Sequence, residues 1–254
     1  MIASPGVWPV RVEAEWLGER IAQSLEGELI RPWLQPEPQK DQFKARFADR
    51  SHWVLVMATG IAVRFIEGQL RDKHTDPAVV VLDEAGRYAI ALVGGHEGGA
   101  NALAYRVANA VGATPVVTTA TEANKSLVVG VGCRKGVSEE QVDKAVRRAL
   151  TELGANDFAR VRELATVDLK ANEPALVAFS QRHGIPLRVI AKHQIEARAW
   201  VSQPSEWVRQ SVGLDGVCEP CALIASMRGR LAVPKTTLDG VAVAIVADDA
   251  GFAS

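Results

Sequence analysis

Apolar and polar residues follow one another along this chain in segments that predict strands and helices in alternation. Apolar runs predict strands at 53–58, 78–83, 87–93, 114–118, 161–167, 187–191, 231–233 and 241–246, and a further strand that begins at Leu127. Apolar residues three and four positions apart predict helices at 14–26, 60–67, 100–111, 139–153, 173–183 and 219–227. This alternation predicts an α/β fold, made of two α/β domains with mostly parallel sheets flanked by helices.

Three local signals refine this picture. Ser138 and Gln141 have the spacing of a capping box and predict the start of the helix at 139–153. In the first helix, the spacing places Trp16 on the same apolar face as Leu17, Ile21 and Leu25. A polar break at 124–126 divides the chain, so we expect one domain at 1–123 and a second at 127–254.

The composition narrows the range of partners. The chain has 254 residues and a net charge of -1, which gives no reason to expect nucleic acid or an anionic membrane as a partner. The N-terminus lacks a basic region followed by an apolar core, and no apolar run approaches the roughly 20 residues that span a bilayer. Three cysteines are too few for a disulfide framework, and we therefore expect a cytoplasmic protein.

The most unusual segment is the glycine turn, Gly94–Gly99, in which four glycines surround His96 and Glu97 between a predicted strand and a predicted helix. Backbone amides and the positive end of the helix would both face this turn, where an anion could bind. A purely structural turn with a hydrogen-bonded histidine is the alternative. The segment matches neither the GxGxxG nor the GxxxxGK[ST] pattern, which argues against nucleotide binding.

Ligands of open α/β sheets bind beyond the carboxyl ends of the strands. We therefore expect the candidate chemistry in the turns that follow predicted strands, namely Thr59-Gly60, His96-Glu97, 118–121 and 133–135.

Several short sequence segments together resemble one family, the cobalt-precorrin-5A hydrolases (CbiG) of cobalamin biosynthesis. In the first half they are 60–64, 72–79, 83–86, 95–104 and 118–121. The second half resembles the C-terminal module of that family, which also exists alone as CobE, at 130–136, Lys170, Glu173, 204–205, 219–223, Lys235 and 241–245. The family commonly has a further segment between the two halves, and here only Glu122–Ser126 remains.

The resemblance implies a hydrolase that opens the ring A δ-lactone of a cobalt tetrapyrrole and releases acetaldehyde. Cobalt would arrive with the substrate, so neither a cofactor nor a protein-bound metal is expected. His96 is the candidate base and Glu97 the second catalytic candidate, with the amides of Gly98 and Gly99 as oxyanion donors. The candidates for pairing with substrate carboxylates are Arg64, Lys73, Arg134, Lys135 and Lys170, and other substrate-binding candidates are Gly60, Asn101, Thr119, Cys133 and Glu219.

Alternatives stay open for these residues. Each basic residue could be a solvated surface charge, and Asp72 and Asp76 could form a structural ion-pair loop around Lys73. As a whole, the chain could be a non-catalytic tetrapyrrole-binding or carrier protein of the same pathway. A homodimer and contacts with other enzymes of that pathway are also left open.

The cysteines allow two sharper hypotheses. Cys218 and Cys221 have the spacing of a redox pair or of half a metal site, although inert, packed thiols fit better because no second ligand pair follows. Cys133 follows a strand and precedes two basic residues, which would lower its pKa and make a nucleophilic thiolate conceivable.

Overall fold

The computed structural model describes residues 4–154, 158–198, 200–226 and 228–248. The chain divides into two compact units, Met1–Ala120 and Thr121–Ser254. Each unit is built around its own sheet.

The N-terminal unit contains a six-stranded sheet in the order β2-β1-β3-β4-β5-β6. β4 and β5 pair antiparallel, whereas the other neighbours in this order pair parallel. Its strands are β1 (Gly6–Pro9), β2 (Glu28–Leu29), β3 (His52–Val56), β4 (Ala78–Leu82), β5 (Tyr88–Val93) and β6 (Thr114–Val116). Its helices are α1 (Glu15–Leu25), α2 (Gln39–Arg46), α3 (Thr59–Ile66) and α4 (Ala100–Val111). One hydrophobic cluster lies under α1 and α4, and a second, rich in aromatic rings, contains Trp8, Phe43 and Trp53.

The C-terminal unit contains a mixed five-stranded sheet in the order β10-β11-β7-β8-β9. β7, β8 and β9 run parallel, and β11 pairs antiparallel with both β7 and β10. Its strands are β7 (Leu127–Cys133), β8 (Val161–Val167), β9 (Leu187–Ile190), β10 (Arg230–Leu238) and β11 (Val241–Ala247). The helices, after α5 (Ala120–Ala123), which begins at the boundary between the units, are α6 (Glu139–Thr151), α7 (Pro174–His183), α8 (Lys192–Glu196), α9 (Glu206–Val212) and α10 (Cys218–Ala225).

α10 packs closely on β7 because Gly130 has no side chain. A Cβ atom at Gly130 would lie 1.8 Å from the carbonyl oxygen of Cys218, the first residue of α10. This contact places the start of α10 against the sheet.

Most predicted elements are confirmed, including the capping box, in which Ser138 accepts from the amide of Gln141 and the Gln141 side chain accepts from the amide of Ser138. The placement of Trp16 is wrong, because its side chain is 61% exposed whereas Leu17 and Ile21 are buried. The short strands β1 and β2 and the helices α2, α5, α8 and α9 were not predicted. The predicted helix at 219–227 ends at Ala225 in the structure, and Met227 lies outside the described residues.

Candidate functional site

The glycine turn presents its histidine to solvent. The imidazole of His96 is exposed, and Gly99, with a φ of 84°, ends the turn immediately before α4. Inside the turn, the amides of Ala100 and Asn101 bond back to the carbonyls of Gly94 and Gly95 at 3.0 and 2.9 Å. Within the described residues no protein acceptor takes a hydrogen bond from the amides of Gly98 and Gly99, and we call these two donors the open amides.

Glu97 ties the glycine turn to the loop before β4. Its carboxylate lies 3.2 Å from Nζ of Lys73 and 3.0 Å from Nδ1 of His74. In that loop, Asp76 accepts from the amides of Arg71 and Asp72. The aspartates therefore shape the loop through backbone amides, whereas Lys73 pairs with Glu97.

Asn101 and Thr119 lie beside the same turn. Nδ2 of Asn101 donates to Oγ1 of Thr119 at 3.0 Å. A Cβ atom at Gly95 would lie 2.6 Å from Cγ2 of Thr119. β6 pairs parallel with β5, so the segment after β6 returns to the edge of the sheet where the glycine turn lies.

Gly60 and Arg64 lie at the opposite edge of this sheet from the glycine turn, so the structure does not bring these candidate residues together with His96. Because β5 runs antiparallel to β4, its end at Val93 pairs with Val79, at the start of β4. The turn at Gly60 instead follows β3, whose end at Val56 pairs with Leu82, at the end of β4. Strands rise roughly 3.3 Å per residue, so the three steps from Val79 to Leu82 put about 10 Å of strand between the two edges.

His52 is a further histidine at the edge of the glycine turn. A Cβ atom built at Gly99 would lie 3.5 Å from Nε2 of His52, and Nδ1 of His52 lies 2.8 Å from Oγ of Ser51. Burial, together with the charge of Arg106, lowers the pKa of His52. Neutral His52 is therefore a second imidazole beside the open amides.

The C-terminal unit contains a cavity of about 590 Å³ at the carboxyl ends of β7 and β8. It brings together the predicted residues Cys133, Arg134, Lys135 and Lys170. Lys235, from β10, adds a fourth cation. The apolar part of the lining comes from the following side chains: Val167, Leu169, Trp207, Val208, Val212, Val217, Leu238 and Val241.

The cations of the cavity are not all neutralised by the protein. Nζ of Lys170 lies 2.6 Å from Oε2 of Glu173, and this ammonium group lowers the pKa of Glu173. The guanidinium of Arg134 lies over the ring of Trp207, at 5.8 Å from its centroid. Within the described part of the chain, Arg134, Lys135 and Lys235 form no ion pair with a carboxylate. The cavity can therefore bind an apolar ligand that carries several carboxylates.

Cys133 lines this cavity as a thiol. Burial raises the pKa of Cys133 to about 11, although the charge of Lys170 acts in the opposite direction. The expectation that its basic neighbours lower this pKa is therefore wrong, because loss of hydration outweighs them.

The other two cysteines are buried, unpaired thiols in α10. Burial raises the pKa of Cys218 to about 12 and that of Cys221 well above its ordinary value. Both are therefore protonated at neutral pH, as inert packed thiols would be.

Glu219 does not line the cavity. It is 1% exposed, and its carboxylate accepts from the amides of Ser202 and Lys235 at 2.8 and 3.0 Å. It fixes the backbone that carries Lys235, so its contacts indicate a positioning role rather than direct contact with a ligand.

Family models match both units of the chain. The model described as cobalamin synthesis G N-terminal matches residues 41–122, and the one described as cobalamin synthesis G C-terminus matches residues 127–246. The chain belongs to the cobalamin synthesis G family. Within the described residues, no helix is long and apolar enough to cross a membrane.

Three relatives are similar to this chain over stretches of different length. A cobalt-precorrin-5A hydrolase of Salmonella typhimurium is 53% identical over 72 residues, which are 28% of this chain and only 20% of that protein. A protein of the same name from Priestia megaterium is 22% identical over 290 aligned positions, covering 76% of this chain and 77% of that protein. Protein CobE of a Sinorhizobium species is 31% identical over 131 residues, 51% of this chain and 84% of that protein.

Sequence reasoning on this family member missed three residues that the structure adds to the candidate sites. Trp207 is 51% exposed at the cavity, and no periodic signal surrounds it because α9 is only seven residues long. Lys235 reaches the cavity from a strand about 100 residues after β7. His52 could have been found, because it begins the strand that precedes Gly60.

Proposed function

We propose that this protein is a hydrolase of cobalamin biosynthesis that acts on cobalt-precorrin-5A. The observation that carries the proposal is the exposed imidazole of His96 in the same turn as the open amides of Gly98 and Gly99. An imidazole can take and return protons near neutral pH, and two free amides can stabilise an oxyanion. The names of the Salmonella and Priestia relatives support the choice of substrate.

The cavity of the C-terminal unit supports a tetrapyrrole as the class of ligand. A ring-contracted tetrapyrrole presents an apolar macrocycle that bears acetate and propionate groups. Trp207 and the valines would contact the macrocycle, whereas Arg134, Lys135 and Lys235 would pair with its carboxylates. Arg134 suits bidentate pairing because its guanidinium is planar.

The proposed chemistry has two steps, and His96 serves as base in each. Water attacks the lactone carbonyl while the imidazole takes a proton from it, and the amides of Gly98 and Gly99 hold the oxyanion. Collapse of this intermediate breaks the ring carbon-oxygen bond while the imidazolium returns its proton to the departing oxygen, which leaves a free hydroxyl group, a carboxylic acid that ionises to the carboxylate, and a neutral His96. Removal of the hydroxyl proton then breaks the adjacent carbon-carbon bond, which releases acetaldehyde and leaves the electron pair in the conjugated macrocycle.

The product tests this proposal. Incubation of the purified protein with cobalt-precorrin-5A should release one acetaldehyde for each pigment converted, measured with an aldehyde-coupled dehydrogenase and by the absorbance of the pigment. Binding of the pigment without release of acetaldehyde would overturn the proposal that the protein is this hydrolase.

A carrier protein of the same pathway is the second candidate. The observation that favours it is the position of the cavity, which lies wholly in the unit that is matched by the C-terminal family model. A carrier would shift the pigment spectrum on binding and release no acetaldehyde.

A further inference from the structure

Two acidic residues and a histidine converge on the surface of the C-terminal unit, away from the cavity lining. Glu139 and Asp143 lie one turn apart at the start of α6, and His183 is the last residue of α7. Within the described part of the chain, this is a group of three side chains whose ligand atoms all lie within 4.8 Å of one another. Nε2 of His183 is 2.9 Å from Oδ1 of Asp143 and 3.9 Å from Oε1 of Glu139.

The three facing atoms are withdrawn from water. Oε1 of Glu139, Oδ1 of Asp143 and Nε2 of His183 are buried and have no hydrogen-bond partner outside the triad. Buried polar atoms in proteins nearly always have a partner, and a bound ion is one accepted reason for an apparent exception. Only the short contact between His183 and Asp143 links these atoms, and a cation bound among the three would satisfy them all.

The surroundings hold these atoms in place. Arg182 donates to Oε2 of Glu139 at 2.7 Å, and Arg147 donates to Oδ2 of Asp143 at 2.6 Å. Each arginine thus binds one carboxylate oxygen and leaves the other facing the histidine. The imidazole packs against Phe158 and Phe179, with centroids 4.3 and 4.6 Å away. Such outer contacts orient the ligands of metal sites.

We propose that Glu139, Asp143 and His183 bind a divalent transition metal ion that links α6 to α7. One imidazole nitrogen and two monodentate carboxylate oxygens form a three-ligand set that suits zinc, with water in the remaining position. Magnesium binds poorly to such a set because it prefers oxygen ligands in an octahedron. This proposal is independent of the proposed hydrolase, and it departs from the sequence-based expectation that the protein binds no metal.

A zinc titration of the full-length, chelator-treated protein tests the site. The unaltered protein should bind one Zn²⁺ by calorimetry, show a higher Tm with the metal, and show no such response to Mg²⁺. His183→Ala and the isosteric Glu139→Gln should each abolish this binding. His193→Ala is the matched control, because His193 is exposed on α8 outside the triad, and it should bind as the unaltered protein does.

Two outcomes would overturn the proposal. The first is the absence of zinc binding at pH 7.5, since the imidazole of His183 would then hold the two carboxylates without a metal ion. The second is zinc binding that persists in both Glu139→Gln and His183→Ala, which would place the metal elsewhere, for example at a cysteine. Glu139→Gln keeps the size of the side chain, so the test stands even where His183→Ala unfolds.

Discussion

At the scale of single residues, the imidazole of His96 is exposed at a turn whose backbone leaves two amides open. His96→Ala should therefore lower the rate of acetaldehyde release by about 10²- to 10⁴-fold, the usual contribution of a general base, while pigment binding persists. The measurement is the rate per bound pigment. His193→Ala, another exposed histidine, should leave the rate unchanged. If His96→Ala releases acetaldehyde at the unaltered rate, another group must be the general base, and His52 and Glu97 are the next candidates.

The thiol of Cys133 gives a second prediction. Since its pKa is raised to about 11, the thiolate needed for alkylation is scarce at neutral pH and becomes abundant only as the pH approaches that value. The rate of iodoacetamide labelling of Cys133, followed by mass spectrometry, should rise steadily from pH 7 to pH 10 without levelling off. Cys133→Ala should retain activity at pH 7.5. A plateau of the labelling rate below pH 9, or loss of activity in Cys133→Ala, would instead support the hypothesis that Cys133 is a nucleophilic thiolate.

At the scale of elements, the close packing of α10 on β7 depends on Gly130. An alanine there would place its Cβ against the Cys218 backbone, so Gly130→Ala should lower the free energy of unfolding by about 1–3 kcal/mol, as overpacked cores do. Gly60→Ala is the matched control. Nothing lies within 4 Å of a Cβ atom at Gly60, which sits in α3, so this change should be neutral or stabilising by up to about 1 kcal/mol.

Urea unfolding of both variants measures these free energies. Because Cys218 also lines the cavity, Gly130→Ala should weaken pigment binding as well. Equal stability of the two variants would show that α10 can move away from β7 at little cost.

The length of an element or of a connection determined what the sequence could predict. Periodic spacing predicted α4 and α6 because both helices bury one apolar face over at least three turns. The antiparallel pairing of β5 with β4 could also be predicted, because the connection 83–87 is too short for the crossover that parallel strands require. The two-residue strand β2 carries no pattern long enough to be recognised.

The candidate sites were predictable only where their residues are neighbours in the chain. The glycine turn is a continuous segment, and its exposure of His96 follows from its backbone. The cavity instead brings together residues from β7, β10 and α9. The group of Glu139, Asp143 and His183 likewise brings together the start of α6 and the end of α7. Such groupings arise from the packing of distant segments, which composition and spacing do not encode.

At the scale of the whole molecule, a net charge of -1 cannot attract an anionic ligand, so the local charge of the cavity must do so. Replacing Arg134, Lys135 and Lys235 together by glutamine should weaken binding of the cobalt tetrapyrrole by roughly 3- to 100-fold, because each partly exposed pair contributes about 0.2–1 kcal/mol. Absorbance titration at low ionic strength measures the Kd, and added salt should narrow the difference between the variant and the unaltered protein.

The control for this prediction removes the same amount of charge elsewhere. Arg11, Lys40 and Arg87 each pair with a carboxylate in the N-terminal unit, and replacing these three by glutamine changes the net charge equally. If the field of the whole protein governed binding, the two triple variants would lose the same affinity. We expect the control to lose less affinity than the cavity variant, because none of its three charges lines the cavity.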